Sequence, residues 1–426
     1  MTPQIIITLC VLAFLVIMLL THKLPYGLTG MFCVGLLVLL GVTDLKTAMS
    51  GFSSSTTVMV ASMIVVASQL SKTSIISRIR TAMSKLQGKN EIVVVLAFFG
   101  ATILLSQLMG QVACLSIMLL FCETLDEDSK LTPSRMLFAV CVLNTIWTSK
   151  IPIGMGATMP GTINAFFEGV APDYAIGIGD YAKAALIPGL VGIIYCMLFM
   201  KNLPTHKLSR ENVKEVKESV QMSKKHEIIV FAVFFVIMIS FFLSGKIPSD
   251  VQNVLPLLGV CVFLITGVCG IPEVTKTITS DIVFLIASMS SISTILGATG
   301  VGELIGNTVL KILGGHPAPI FVITVFTLVT AVMTNFLSNM GTMALMIPIA
   351  ASTALAGGFN VQTVVLVTAC SAWMAYVMPT GCAGAMIAFG NGNYEVAETF
   401  KFTIPLFILE VVALIISTTL FFPVYA

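Results

Sequence analysis

Charge is what this sequence has least of. Lys, Arg, Asp and Glu together make up 10% of its 426 residues, against ~25% in an average soluble domain. A soluble fold of this length needs a charged surface and cannot be built from that supply. A net charge of +2 leaves no basic footprint for nucleic acid, so no nucleic-acid partner is expected. Histidine is scarce too: His22, His206, His226 and His316 are the only ones, and no HExxH motif is present. The ten cysteines form no CxxC pair and lie mostly inside apolar runs, as Cys33, Cys141 and Cys196 do, which excludes a metal or disulfide framework of the usual spacing. No GxxxxGK[ST] loop occurs, so an ATP-driven pump in this chain alone is not expected. An intramembrane hydrolase would need a nucleophile with a partner His, or paired Asp residues inside the apolar runs. No His lies there, and Asp281 stands alone near the edge of one. The reading is therefore not an enzyme.

What is abundant is apolar. Hydrophobic residues reach 57% and the mean hydropathy is +1.02. At ~20 residues per span the chain has room for roughly ten to twelve crossings, so the class is an all-α polytopic membrane protein embedded in a lipid bilayer. The run over 4–21 lacks a basic flank before it and reads as a mature span rather than a signal peptide. The runs at about 92–122 and 319–353 are too long for one span, too short for two, and interrupted by polar and glycine residues. That pattern predicts re-entrant helical hairpins, whose irregular backbone is tolerated where protein or a cavity surrounds it. Methionine, at 24 copies, gathers near the interruptions and suits adaptable packing.

The halves resemble each other. Ala61-Ser62-Met63 recurs as Ala287-Ser288-Met289, and Ser106-Gln107-Leu108-Met109-Gly110-Gln111 lines up with Thr334-Asn335-Phe336-Leu337-Ser338-Asn339. Between them, 201–227 holds seven basic residues. The expected architecture is two inverted repeats, 1–200 and 228–426, each of five transmembrane helices plus one re-entrant hairpin. Each also carries a helix interrupted at the midplane, about 136–168 in the first and 361–390 in the second. With 201–227 cytoplasmic, 17 basic residues fall on the cytoplasmic side and four, Lys46, Lys183, Lys246 and Lys311, outside. This predicts a multi-pass protein of the cell (plasma or inner) membrane.

Inverted repeats with interrupted helices point to a secondary transporter with a site near the midplane. Broken helices expose N-termini that attract anions and carbonyls that hold cations. Besides the two hairpin tips, breaks are expected at Pro152–Thr162 and Met378–Gly384, where proline removes a donor and glycine tolerates unusual dihedrals. A channel would instead need a continuous polar lining, whereas the polar residues cluster at these four places.

Thr334-Asn335-Phe336-Leu337-Ser338-Asn339-Met340-Gly341-Thr342, with Met378-Pro379-Thr380 and Ala388-Phe389-Gly390-Asn391-Gly392, resembles the divalent anion/sodium symporter family of the ion transporter superfamily. Leu24-Pro25-Tyr26-Gly27, Gly41-Val42 and Ser50-Gly51-Phe52-Ser53-Ser54 are similar to it too, and the resemblance covers nearly the whole chain. It implies a symporter of di- or tricarboxylates or sulfate, coupled to Na⁺, working as a homodimer by an elevator motion. That family carries Ser-Asn-Thr at both hairpin tips. The second tip here gives Ser338 and Asn339 with Met340 in place of Thr; the first gives Gly110, Gln111 and Val112, all three changed. Gly161-Thr162-Ile163-Asn164 matches the family's Gly-Thr-Pro-Pro-Asn loosely, and Cys382-Ala383-Gly384-Ala385 departs from its second copy. The resemblance implies a substrate set of Gly110, Gln111, Val112, Thr158, Thr162, Ser338, Asn339, Met340 and Thr380. The implied cation set is Ser106, Gly110, Gln111, Gly156, Thr334, Ser338, Asn339 and Gly381.

Lys150 adds a residue of its own to the substrate set. It sits ~15 residues, or ~22 Å, into its span, and an intramembrane lysine is a functional candidate by default. Its ammonium would replace the first-site cation, pair with the substrate, or snorkel to the surface. Replacement would make the protein a sodium-independent anion exchanger. A proton-coupled anion exporter of the same superfamily is the other alternative, against which stands a single deep carboxylate, Glu410. Glu410 falls on a peripheral span and is expected to be structural.

Overall fold

The computed structural model describes residues 2–21, 23–84, 90–125, 131–209, 222–243 and 246–425. Lys85, Lys89, Lys130 and residues 210–221 of the basic segment lie outside the described residues. The first half runs α1 (Pro3–Thr21), α2 (Tyr26–Leu39), α3 (Leu45–Ala48), α4 (Ser55–Leu70) and α5 (Ser74–Ser84). It continues with α6 (Glu91–Leu108), α7 (Gln111–Cys122), α8 (Pro133–Trp147), α9 (Met159–Phe167) and α10 (Asp180–Phe199). The second half runs α11 (Lys224–Phe242), α12 (Ser249–Thr266), α13 (Ile271–Ile278), α14 (Asp281–Thr299) and α15 (Val301–Ile312). It ends with α16 (Pro319–Met333), α17 (Asn339–Gly357), α18 (Val361–Ser371), α19 (Ala383–Gly392) and α20 (Val396–Phe421). Among the described residues the one β-contact is an isolated bridge between Phe359 and Tyr425.

The ends of these helices are written in the sequence. Asn90, Ser223, Ser338 and Asn360 each accept a backbone N–H in the first turn of the helix they start. Glu395 and Glu398 form a reciprocal capping box at α20. Gly267, Gly300 and Gly358 close α12, α14 and α17 in the left-handed conformation.

Eight helices among the described residues are long and apolar enough to cross a membrane, or nine if α4 and α5, bent by 43°, form one span. Composition alone leads to ten to twelve crossings; the difference lies in α2, α7, α16 and α18, which are apolar but only 11–15 residues long. At 1.5 Å per residue such helices are shorter than a bilayer core. The short helices α3, α5, α13 and α15 were not legible as apolar runs, being brief or interrupted by charge. α11 begins at Lys224, inside the segment read as linker.

Two helices form the centre. Every residue of α8 except Arg135, and every residue of α18 except Gln362, is buried. Both thread polar residues through an apolar core: Asn144 and Thr145 in α8, Thr363, Thr368 and Ser371 in α18. Around them the packing is crosswise. α7 packs on α8 and on α19, while α17 packs on α18 and on α9. α10 and α20 lie along each other and touch α18, while α2 packs on α14 and α12 on α4. The outermost faces carry exposed aliphatics such as Leu39, Ile265 and Leu420. An apolar surface of that extent suits lipid rather than water.

Candidate functional site

α8 stops at Trp147 and α9 starts at Met159, with Pro160 in its first turn. Between them Ser149 takes φ 56° and Gly154 φ 57°. A Cβ on Gly154 would lie 2.7 Å from Gln107 O, so the chain passes too close there for any side chain. The gap is tied by Gln107, in the last turn of α6. Its Nε2 donates to Trp147 O at 2.7 Å and its Oε1 accepts from Ile151 N–H at 2.9 Å. Ser149 N–H reaches Ser106 O at 3.4 Å.

The second break, between α18 and α19, repeats the device. Asn335 Nδ2 donates to Met374 O at 2.9 Å, and its Oδ1 accepts from Val377 N–H at 3.0 Å and Met378 N–H at 3.3 Å. Thr380 Oγ1 donates to Asn335 O at 2.9 Å. An unwound backbone inside an apolar body has N–H and C=O groups that must find partners. Here one carboxamide from the neighbouring helix end supplies both kinds at each break. Gln107 and Asn335 were visible in the sequence as aligned positions, but their role was not, because partners 39 or more residues away cannot be read from local pattern.

The implied site residues fall into distinct groups. The Thr334 hydroxyl lies 2.5 Å from Ala372 O and 3.2 Å from Asn339 Oδ1. All three are buried. This is an all-oxygen set, the donor type a hard cation takes, so the residues on this side fit a sodium ion. Gly381 is buried in the same break. Ser338 caps α17 by accepting Gly341 N–H at 3.1 Å and meets Tyr26 of α2, while Met340 is half-buried. Thr380 is exposed apart from its bond to Asn335.

The first side differs. The Ser106 hydroxyl is engaged with Ile103 O and Gln107 Nε2, both at 2.8 Å. Gly110 and Gly156 offer backbone alone, and Val112 is 43% exposed. Gln111 Nε2 is buried without a protein partner. Asn144 donates to Gln111 O at 3.1 Å, and its own Oδ1 is also unpartnered. The start of α19 closes this corner, since a Cβ on Gly384 would lie 3.7 Å from Asn144 Nδ2 and 3.8 Å from Gln111 Cβ. A free amide donor at the start of α7, beside the start of α19, is chemistry for an anion. Thr158 and Thr162 are buried with hydroxyls returned to their own helix, to Met155 O and Thr158 O. No hydrogen bond joins the first tip to the second among the described residues.

Lys150 does not snorkel, being 4% exposed. Its Nζ donates to Tyr181 OH at 2.6 Å and turns towards α10, α18 and α20. Glu410 is 2% exposed and lines the same small cavity, so the peripheral place expected for it gives way to a central one. The sequence could not pair these residues, which are 260 positions apart.

With the site in view, comparison with known proteins decides the family. A family described as "Sodium:sulfate symporter transmembrane region" matches residues 1–425. The chain belongs to the sodium:sulfate symporter family. The resemblance carried by the Thr334–Thr342 stretch is thereby borne out. An uncharacterized transporter of Haemophilus influenzae is 22% identical over 431 residues, covering 97% of this chain and 90% of that protein. The chloroplastic dicarboxylate transporter 1 of Arabidopsis thaliana is 28% identical over 185 residues, covering 42% of this chain and 33% of that one. Among solved structures, the Alcanivorax borkumensis YdaH transporter superposes with a TM-score of 0.59 at 10% identity, covering 88% of this chain and 85% of that one. That last likeness concerns the fold alone. As a sodium:sulfate symporter family member, the chain is a membrane transporter.

Proposed function

We propose that the protein is a secondary active transporter of small anions, di- or tricarboxylates or sulfate, coupled to sodium. The carrying observation is the crosswise meeting of two hairpin-like helix pairs with two broken helices, each break held by one carboxamide. The oxygen set of Thr334, Asn339 and Ala372 supports a co-transported cation on the second side. The unpartnered Gln111 amide and the start of α19 support an anion on the first. In this reading α6–α7 and α16–α17 are re-entrant hairpins, and the halves are inverted repeats about a cytoplasmic segment. The matching order of elements, α1 to α10 and α11 to α20, supports that. The hairpins and broken helices would then move as one body against α2, α4, α12 and α14 in a homodimer of the cell membrane. Ser338, Asn339, Met340, Gly110, Val112, Thr158, Thr162 and Thr380 remain the proposed substrate surroundings, with Ser106, Gly156 and Gly381 near the cation.

A second reading is sodium-independent exchange. It is favoured by the first side, where Ser106 is the single implied side-chain hydroxyl and is already engaged. The deciding experiment is uptake of labelled succinate, citrate and sulfate into proteoliposomes, with and without a Na⁺ gradient and with internal counter-substrate. Symport predicts accumulation that follows the Na⁺ gradient. Flux that needs counter-substrate and ignores Na⁺ overturns it in favour of exchange, and flux that follows a proton gradient instead favours a proton-coupled exporter. No flux of any anion refutes the whole reading.

A further inference from the structure

A cavity of ≈ 10 Å³ lies where the end of α8 meets α10, α18 and α20, lined by Lys150, Glu410 and Trp373 among others. Its polar groups are incompletely used. Lys150 Nζ has three N–H donors and gives one to Tyr181 OH, at 2.6 Å. Its cation also faces two rings, with the Tyr181 centroid at 4.4 Å and the Trp373 centroid at 5.6 Å. Glu410 Oε1 and Trp373 Nε1 are buried and have no protein partner. Lys150 and Glu410 form no direct ion pair. The other titratable groups near them, Cys370, Cys196, Tyr181 and Tyr376, are thiols and phenols. Glu410 is therefore the counter-charge within reach of Lys150.

An ammonium with N–H groups to spare, an indole N–H without an acceptor and a carboxylate oxygen without a donor, around a space for about one solvent molecule, make the inventory of a buried water. Such waters make about three hydrogen bonds and need ~10–15 Å³. The geometry points to a water site in which one water molecule accepts from Lys150 Nζ and Trp373 Nε1 and donates to Glu410 Oε1. The pair is then a water-linked, net-neutral ion pair inside the bundle. It ties the first break to α20, since Lys150 follows Ser149, whose N–H holds Ser106 O. Lys150 is thus a positioning residue whose charge is answered by Glu410, not a ligand of the transported anion. A buried charge stripped of its partner is strongly destabilising, whereas removing both charges together is often close to neutral.

The test is a double-mutant cycle on the purified full chain: Lys150→Met, Glu410→Gln and the pair together. Each single substitution is expected to lower the thermal midpoint in detergent by ~5 °C or more. The double variant recovers at least half of the larger loss. In anion counterflow the double variant keeps the wild-type KM within about threefold. Additive midpoint losses overturn the proposal. So does a double variant that folds at the wild-type midpoint yet transports nothing, because Lys150 then acts on the anion itself. A cryo-EM map fine enough to show ordered water must place one peak within ~3.2 Å of all three atoms. Direct Nζ–Oε1 contact with no peak refutes it, whatever the variants do. If the wild type moves no anion, the functional reading fails while the midpoints still decide the pair.

Discussion

Asn335→Ala removes the group that holds the second break. The asparagine is 4% exposed, and its carboxamide serves Met374 O, Val377 N–H and Met378 N–H. In the variant these three backbone groups lose their partner. Hydrogen bonds between transmembrane segments are worth ~0.6 kcal/mol on average, and a buried group left unpaired costs about 1–3 kcal/mol. Three such groups give roughly 2–3 kcal/mol at the low end. Asn335→Asp keeps the acceptor for both N–H groups, loses the donor and buries a charge, so it is no rescue. The chain reports on this region itself, because its two tryptophans, Trp147 and Trp373, flank the two breaks. In a Trp147→Phe background the remaining emission belongs to Trp373. The expected result is a red-shifted Trp373 spectrum, a thermal midpoint lowered by several degrees, and loss of anion counterflow in folded protein. An Asn335→Ala variant with unshifted emission, wild-type midpoint and normal flux would show that the break needs no anchor, and the account of both breaks would fall.

Three further outcomes follow from the same contacts. Gln107→Ala strands Trp147 O and Ile151 N–H, and should cost about 1–2 kcal/mol, visible as a lowered midpoint and a shift in Trp147 emission; a silent variant contradicts the pairing of Gln107 with Asn335. Thr334→Val keeps shape but removes the hydroxyl between Ala372 O and Asn339 Oδ1, so the Na⁺ concentration for half-maximal flux should rise about tenfold while folding holds; unchanged Na⁺ dependence removes Thr334 from the cation set. Glu168 accepts from Ser54 Oγ at 2.9 Å, Thr56 Oγ1 at 2.8 Å and Ser290 Oγ at 2.6 Å, which joins the end of α9 to α4 and α14. Glu168→Gln should weaken this contact of α9 with α4 and α14 by about 1–2 kcal/mol, measured as earlier cleavage by a membrane-compatible protease; equal cleavage times would deny the contact any weight.

The legibility of the site was uneven. Thr334, Ser338 and Asn339 could be named because they lie in the local stretch Thr334–Thr342 that carries the family resemblance. The breaks could be named because proline and glycine interrupt apolar runs. Gln107, Asn144 and Cys382 could not be named, since each acts across a helix crossing. Cys382, for instance, caps α19 through its Sγ, 3.3 Å from Ala385 N, and faces Thr145 of α8 at 3.8 Å. Glu410 was misplaced for a related reason. Position along a repeat suggested the periphery, whereas packing of α20 along α10 turned its carboxyl inward.

By itself the sequence determined the solvent of this protein. With one residue in ten charged, it has too little polar surface for water and enough apolar length for a bilayer. It also determined where helices stop, through caps, glycines and prolines acting within a few residues. Only the tertiary structure decided which interrupted ends meet, because the partners of an unwound backbone come from other helices. It alone brought Lys150 against Glu410 and Trp373, since burial and charge compensation are properties of packed neighbours rather than of positions along a chain.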